Sequence, residues 1–225
     1  QENFLPKRNL KNYPVHGINI AAREVSGDFF SFYPHNDSIY FIIADVAGKG
    51  IHAGMVMAKA STLFEVLSQS KLDPDEMAFH MNNDLNQTKT SGMFVTSIVG
   101  EYNLITDEIR WVNAGHQPAV LRDENGKYSQ FESSAPPLGV IKQKEKSIYI
   151  TNKTKLNGSR FYAFTDGLSE SLDDKGEEIG IEGSIEIIEE NFNTDTSKQL
   201  DKITKTIMDI SQSRNLSDDL TLISI

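Results

Sequence analysis

Aspartates end several of the apolar runs in this sequence, and glycine lies close to most of them. They are Asp28, Asp45, Asp166 and the pair Asp218-Asp219. A carboxylate at the end of a buried strand is costly to desolvate unless it is paired, hydrogen-bonded or bound to a metal ion. Neighbouring glycines let backbone carbonyl oxygens join a coordination shell. One such aspartate usually marks a turn, but the recurrence of the pattern at four separate places indicates a hard-oxygen site for Mg²⁺ or Mn²⁺.

Composition excludes several other kinds of site. The chain has 225 residues, a formal net charge of −10 and no cysteine, so a disulfide scaffold, a zinc-thiolate module and a cysteine nucleophile are impossible. The surplus of acidic residues argues against nucleic acid as a partner. Because no window approaches the ~18 apolar residues of a membrane span, we predict no membrane contact and a cytoplasmic location.

Hydrophobic periodicity predicts the elements that must position these aspartates. The run from Ile39 to Ala44 lacks polar alternation, which is typical of a strand covered on both faces. Amphipathic helices are predicted over Ile51 to Gln69 and after Asp73-Pro74. Further strands are predicted at 18–22 and 29–33, and three consecutive antiparallel neighbours at 94–102, 108–114 and 119–122. The remaining predicted elements are a strand pair at 147–151 and 160–165, helix after Gly183 and a last strand at 220–225.

This order of elements predicts an α+β fold, a four-layer αββα sandwich of two antiparallel sheets flanked by helices. The βαβ alternation that a parallel sheet requires is missing. We assign residues 17–225 to one domain and residues 1–16 to a linker segment. Because the chain begins with Gln1-Glu2 and no Met, we expect it to come from a longer protein with an upstream sensor or regulatory module.

Six motifs in order carry a resemblance to a known family. They are Ser26-Gly27-Asp28-Phe29-Phe30, Asp45-Val46-Ala47-Gly48-Lys49-Gly50, Asn113-Ala114-Gly115-His116, Pro136-Pro137-Leu138-Gly139, Thr165-Asp166-Gly167 and Asp218-Asp219-Leu220-Thr221. The set resembles the PPM-type (type 2C) metal-dependent protein phosphatases, and more closely their bacterial SpoIIE and RsbU branch. The resemblance extends from about Leu5 to Ile225, nearly the whole chain.

The resemblance implies a cleft that holds two Mn²⁺ or Mg²⁺ ions, which share and activate a water for in-line attack on phosphorus. Asp45 would bridge both metals, with the carbonyl of Val46 on one of them. Asp166 and Asp218 would hold the second metal, and Asp28 would complete the cluster directly or through water. Many relatives have Asn at the position of Asp219, so the ligand role is assigned to Asp218, with Asp219 as the alternative.

Two departures from the animal-type members concern the mechanism. Those enzymes carry Asp-Gly-His-Gly where this chain has Asp45-Val46-Ala47-Gly48, so the histidine that is a candidate general acid is missing. Gly27 stands where they have a glutamate near the metals. Arg23 precedes Asp28 by five residues, as the phosphate-binding arginine does in animal-type members, although a surface or ion-pair role is an equal alternative. The catalytic candidates are therefore Asp45, Asp28 and Arg23.

Three other residues have simpler interpretations. His52 begins a predicted helix and is more consistent with a structural role than with proton donation. His116 is expected to be a buried hydrogen-bonding residue and not a ligand. The Lys49 stretch is not a phosphate-binding P-loop, because that motif needs a glycine at position 43 and a hydroxyl at position 50.

The function that the resemblance implies is hydrolysis of phosphoserine or phosphothreonine in a protein. The expected substrate is a phosphorylated anti-anti-sigma (STAS) protein in bacterial partner-switching signalling, and a homodimer is one possible assembly. Two alternatives remain open at this point. The domain could be a binding or scaffold module that has lost catalysis, or it could hydrolyse a small phosphorylated metabolite.

Overall fold

The computed structural model describes residues 10, 12–22, 26–87, 92–173, 175–193, 195–210 and 218–225. Arg23 and Leu5 therefore lie outside the described residues. The strands are β1 His16–Ile20, β2 Phe29–His35, β3 Ser38–Val46, β4 Val95–Asn103, β5 Glu108–Ala114, β6 Ala119–Arg122, β7 Tyr128–Phe131, β8 Asn152–Lys155, β9 Arg160–Phe164 and β10 Leu220–Ser224. The helices are α1 Ile51–Ser68, α2 Pro74–Gln87, α3 Asp166–Ser169, α4 Gly180–Glu190 and α5 Thr196–Ile210, with one 3₁₀ turn at Lys146–Ile148.

The strands form two antiparallel five-stranded sheets. In the first sheet the order is β1-β10-β9-β6-β7, and in the second it is β2-β3-β4-β5-β8. The first and last strands of the chain are neighbours, with His16 opposite Ser224 and Ile20 opposite Leu220. The predicted two-sheet α+β architecture is confirmed.

Strand β3 shows how its side chains are divided between layers. The even-numbered side chains from Tyr40 to Val46 pack in the apolar cluster that includes α1 and α2. The odd-numbered side chains from Ile39 to Ile43 pack in the core between the two sheets. Both faces are therefore covered by apolar groups, as the unbroken apolar run predicts, because successive side chains of a strand point to opposite faces.

The helices cover the outer faces of the sheets. Helices α1 and α2 lie on the sheet of β3, with Phe64, Met77 and Met81 fully buried. Helices α4 and α5 lie on the other sheet through a cluster that includes Ile188 and Ile203. Within the described part of the chain, no helix has the length and apolarity needed to cross a membrane.

Two predictions of strand pairing are wrong. The strands over 94–102, 108–114 and 119–122 were expected to be consecutive neighbours, but β6 leaves β5 and pairs with β9 in the other sheet. The predicted pair at 147–151 and 160–165 is a 3₁₀ turn and strand β9; β8 begins at Asn152 and pairs with β5. In both places the chain crosses between sheets, which local periodicity does not reveal.

Candidate active site

Strand alternation brings the aspartates to one end of the space between the sheets. Asp45 continues the odd-numbered side of β3, and Asp28 stands two residues before Phe30, which packs in the core between the sheets. Thr165 likewise follows Ala163 of that core, and Thr221 precedes Ile223. The polar groups thus extend the inner faces of both sheets beyond the point where the apolar core ends.

Asp28 is the most deeply buried carboxylate of this group, with only 2% of its surface exposed. Its Oδ2 accepts hydrogen bonds from Thr165 Oγ1 at 2.6 Å and from Thr221 Oγ1 at 3.0 Å, which join the two sheets across the site. Burial raises the pKa of Asp28 well above its ordinary value, and the charge of Asp45 adds to the rise, while both threonine hydrogen bonds oppose it.

Asp45 lies within hydrogen-bonding reach of Asp28, so the two predicted ligands meet. Burial raises the pKa of Asp45 to about 6, and the charge of Asp166 contributes to the rise. The carbonyl oxygen of Val46 lies beside Gly27, where an added Cβ would be 3.2 Å from it. Glycine at position 27 therefore leaves space beside a backbone oxygen that the sequence predicts as a ligand.

Asp166 and Asp218 form the opposite side of the cluster. Asp166 is the first residue of the short helix α3, directly after β9, and Asp218 lies just before β10. Burial raises the pKa of Asp166, and the charge of Asp218 raises it further. Asp218 Oδ2 also forms an ion pair with Lys49 Nζ at 2.7 Å. Lys49 lies in the segment that connects β3 to α1.

Both carboxylate oxygens of Asp219 are taken up by backbone donors. Oδ1 accepts from the N–H of Ala22 at 2.8 Å, and Oδ2 accepts from the N–H of Gly27 at 2.9 Å. Asp219 thus joins the two ends of the segment that precedes Asp28. The Asp218 side chain differs from that of Asp219, because its Oδ1 accepts from the N–H of Asp219 at 2.9 Å, whereas its Oδ2 accepts from a lysine side chain. Of the two alternatives that the sequence left open, Asp218 is therefore the one with an oxygen that no backbone donor holds.

His116 is a buried hydrogen-bonding residue, as the sequence predicts. Its Nδ1 lies 2.9 Å from Thr96 Oγ1, and Thr96 is paired with Asp45 in the register of β3 and β4. The carbonyl of Phe164 faces the ring, yet among the described residues Nε2 makes no hydrogen bond of ordinary geometry. Burial lowers the pKa of His116 to about 3, so the ring is neutral at physiological pH.

The side chains of the acidic cluster are of the chemical type that binds divalent cations. All side-chain donors are carboxylate oxygens, which suit Mg²⁺ and Mn²⁺, and three of these groups have pKa values raised by burial and mutual repulsion. A cation would remove that repulsion. In the described ranges, however, no three His, Asp or Glu side chains already converge closely enough to hold a metal ion.

The remaining predicted residues lie apart from this cluster or outside the described chain. Arg23 falls in the segment 23–25, which is not described, so its role stays a prediction. His52 is exposed on the first turn of α1. Lys49 was missed as a residue of the site, although its position between two glycines in the Asp45 motif could have indicated a residue close to the carboxylates.

Comparison with known proteins gives one family for most of the chain. The model of Stage II sporulation protein E (SpoIIE) matches residues 35–225. The phosphoserine phosphatase RsbU of Bacillus subtilis is 25% identical over 212 residues, 93% of this chain and 62% of RsbU. Protein IcfG of Synechocystis is 25% identical over 256 residues, covering all of this chain and 40% of IcfG. The chain therefore spans less than two thirds of the length of these relatives.

Solved structures share the fold. The SiaA-PP2C domain of Pseudomonas aeruginosa superposes with a TM-score of 0.87 at 15% identity, covering all of this chain and 91% of that one. The PP2C phosphatase domain of SpoIIE from Bacillus subtilis gives a TM-score of 0.79 at 18% identity, covering 93% of this chain and 62% of that one. Fold, motif order and the match over residues 35–225 agree, and the chain belongs to the SpoIIE family of PP2C-type phosphatase domains.

Proposed function

We propose that this chain is a metal-dependent protein phosphatase that hydrolyses phosphoserine or phosphothreonine. The observation that carries the proposal is that aspartates from four separate segments lie near enough to one another, at one end of the two sheets, for their charges to interact. Asp28 and Asp45 contact one another, and the charges of Asp166 and Asp218 act on the same group. A family match over most of the chain supports the same reaction class.

We further propose that two Mn²⁺ or Mg²⁺ ions bind to Asp28, Asp45, Asp166, Asp218 and the carbonyl of Val46. When bound, such ions would supply positive charge for the phosphoryl oxygens and would acidify a water. A structure of the related fold of RsbX, in complex with magnesium, supports this choice of ion.

The chain's own residues would prepare this site. The threonine hydroxyls hold Asp28 Oδ2 in place and so fix the orientation of this carboxylate. The neutral ring of His116 adds no positive charge that would compete with a cation. Arg23 remains our candidate for binding the substrate phosphate, because a guanidinium can hold two phosphate oxygens.

The proposed substrate is a phosphorylated STAS-type anti-anti-sigma protein in the cytoplasm. RsbU and RsbP of Bacillus subtilis are named phosphoserine phosphatases, and RsbP is 28% identical over 153 residues, 66% of this chain and 38% of RsbP. A solved structure with the RsbU and RsbW domains of Rv1364c from Mycobacterium tuberculosis has a TM-score of 0.76 at 22% identity, covering 93% of this chain and 58% of that one. Control by an upstream module and assembly as a homodimer belong to the same proposal.

The test compares three substrates with and without Mn²⁺: a serine-phosphorylated STAS protein, p-nitrophenyl phosphate and a sugar phosphate. We expect Mn²⁺-dependent turnover, fastest on the phosphoprotein, and a loss of at least about 100-fold in Asp45→Asn, because this variant removes a charge directed at the metals. Asp209→Asn, an exposed change on α5, is the matched control.

The outcomes separate the alternatives. Metal-independent turnover, or full activity in Asp45→Asn, would refute the proposed mechanism. Preference for the sugar phosphate would replace the protein substrate by a metabolite. Absence of both turnover and Mn²⁺ binding would favour a scaffold module.

A further inference from the structure

Lys49 lies at the junction between the two sides of the acidic cluster. It is flanked by Gly48 and Gly50, whose φ angles of +121° and +79° are in the region that favours glycine. This segment turns the chain from the end of β3 into α1, so the lysine is four residues from Asp45 but reaches toward the other sheet. There its Nζ lies 2.7 Å from Asp218 Oδ2.

The ammonium group acts on more than one carboxylate. The positive charge of Lys49 opposes the rise in the pKa of Asp166 and also that of Glu170, whose carboxyl group is affected by Asp166 and Asp218. The lysine is thus a monovalent cation beside oxygens that the proposed function assigns to a divalent one. Both members of the ion pair are partly exposed, with 49% of the Lys49 side chain and 32% of the Asp218 side chain accessible.

We propose that Lys49 occupies the cation position at Asp218 and competes there with the divalent metal ion. The inference rests on the proposed function, because it requires metal binding by Asp166 and Asp218. Asp218 Oδ1 accepts from the N–H of Asp219 at 2.9 Å, so Oδ2, which accepts the ion pair, is the oxygen left for a metal ion, and one cation must leave before the other binds. A partly exposed ion pair is weak enough to be displaced, and the long lysine side chain between two glycines can swing into solvent.

The alternative is that Lys49 only ties the β3–α1 segment to the start of β10. In that case removal of its charge would destabilise the protein equally with and without metal. Competition predicts a different pattern. The lysine stabilises the metal-free protein, because it relieves repulsion among carboxylates, and it weakens metal binding for the same reason.

The test uses the full chain with Lys49→Met, which keeps the length of the side chain and removes its charge. Lys49→Arg keeps the charge, and Lys198→Met is the matched control, because Lys198 forms a surface ion pair with Asp195 within the α5 region. Mn²⁺ binding is measured by calorimetry, and thermal unfolding is measured in EDTA and in saturating Mn²⁺.

We expect Lys49→Met to tighten the weaker Mn²⁺ site by about 2- to 5-fold, which is the range of a partly exposed ion pair. In EDTA its melting temperature should fall by about 1–3 °C, and in saturating Mn²⁺ this difference should vanish or reverse. Lys49→Arg and Lys198→Met should bind Mn²⁺ like the unmodified chain.

Each contrary result has a separate meaning. Unchanged or weaker Mn²⁺ binding in Lys49→Met, or an equal loss of melting temperature in both conditions, would overturn the competition and leave the proposed function intact. No Mn²⁺ binding by the unmodified chain would overturn the proposed function, and the inference about Lys49 with it.

Discussion

Replacement of His116 by glutamine should make the stability of the metal-free protein less sensitive to acid. The imidazole is buried next to Thr96 Oγ1, and burial lowers its pKa to about 3. In the unfolded chain the same ring has its ordinary pKa of 6.5. Glutamine can still accept a hydrogen bond from Thr96 but cannot take up a proton, so the change removes the titration and keeps a polar partner.

The magnitude follows from proton linkage. Above pH 6.5 the ring is neutral in both states and adds no pH dependence. Below pH 6.5 the ring binds a proton in the unfolded state but stays neutral in the folded state. The free energy of unfolding therefore falls by about 1.4 kcal/mol for each pH unit, down to about pH 3. Between pH 7.5 and pH 5.0 the loss that His116 causes is therefore about 2 kcal/mol.

Other groups titrate in the same range with the opposite sign. Asp45 has its pKa raised to about 6 in the folded protein, so its protonation stabilises the metal-free fold as the pH falls below 6. This contribution is present in both proteins and cancels when the variant is compared with the unmodified chain. The comparison therefore isolates His116.

Urea unfolding in EDTA at pH 7.5 and pH 5.0 measures the effect. At pH 7.5 the variant should be the less stable protein, because its side chain packs less well, and by pH 5.0 this deficit should shrink by about 2 kcal/mol. His80→Gln, an exposed change on α2, is the control and should not alter the comparison. If the variant's deficit in free energy of unfolding is the same at both pH values, the conclusion that His116 stays neutral in the folded protein is refuted.

Three further predictions concern the carboxylates themselves. Thr165→Val removes the 2.6 Å hydrogen bond to the buried Asp28 and should lower the free energy of unfolding by about 2 kcal/mol. Urea unfolding measures this loss, and Thr62→Val, a change at an exposed position, is the control. Asp219→Ala leaves two backbone N–H groups of segment 22–27 without their acceptor, so we expect a loss of about 2–4 kcal/mol with Asp219→Asn intermediate; an unchanged urea midpoint would show that these bonds are not formed in solution. Mn²⁺ affinity should fall by up to tenfold per pH unit below about pH 6, because Asp45 must lose its proton to bind the metal. Calorimetry at pH 5.0 and pH 7.0 measures this change, and equal affinities at the two pH values would contradict the prediction.

The sequence predicts the inner strands of the site well because their residues alternate. An unbroken apolar run that ends in an aspartate defines β3, and the period of two then places Asp45 on the side of the other sheet. Helix α2 is equally clear, because Asp73-Pro74 marks its beginning and Met77 and Met81 are its buried face. These signals are local, and local signals decide which face a residue occupies.

Partner strands and cross-sheet bonds are not local, and this is where the sequence-based predictions fail. The turn after β5 contains Gly115, whose φ angle is +71° and where an added Cβ would collide with the Pro137 side chain. Asn113 closes this turn by accepting from the N–H of His116 at 2.9 Å, and the chain then enters the other sheet as β6. Nothing in the spacing of apolar residues distinguishes such a crossing from an ordinary hairpin.

The carboxylates lie at the boundary between the two sheets, where they do not themselves stabilise the packing of one sheet on the other. Like charges on two sheets repel one another, and the core between the sheets, with Trp111 and Phe161 in edge contact, holds them together. The hydrogen bond from Thr165 to Asp28 and the ion pair of Lys49 with Asp218 offset part of this repulsion at the boundary between the sheets. Because both contacts cross between the sheets, any change that shifts one sheet against the other changes the distances among the proposed metal ligands. We therefore expect metal affinity at the proposed site to depend on how the two sheets pack.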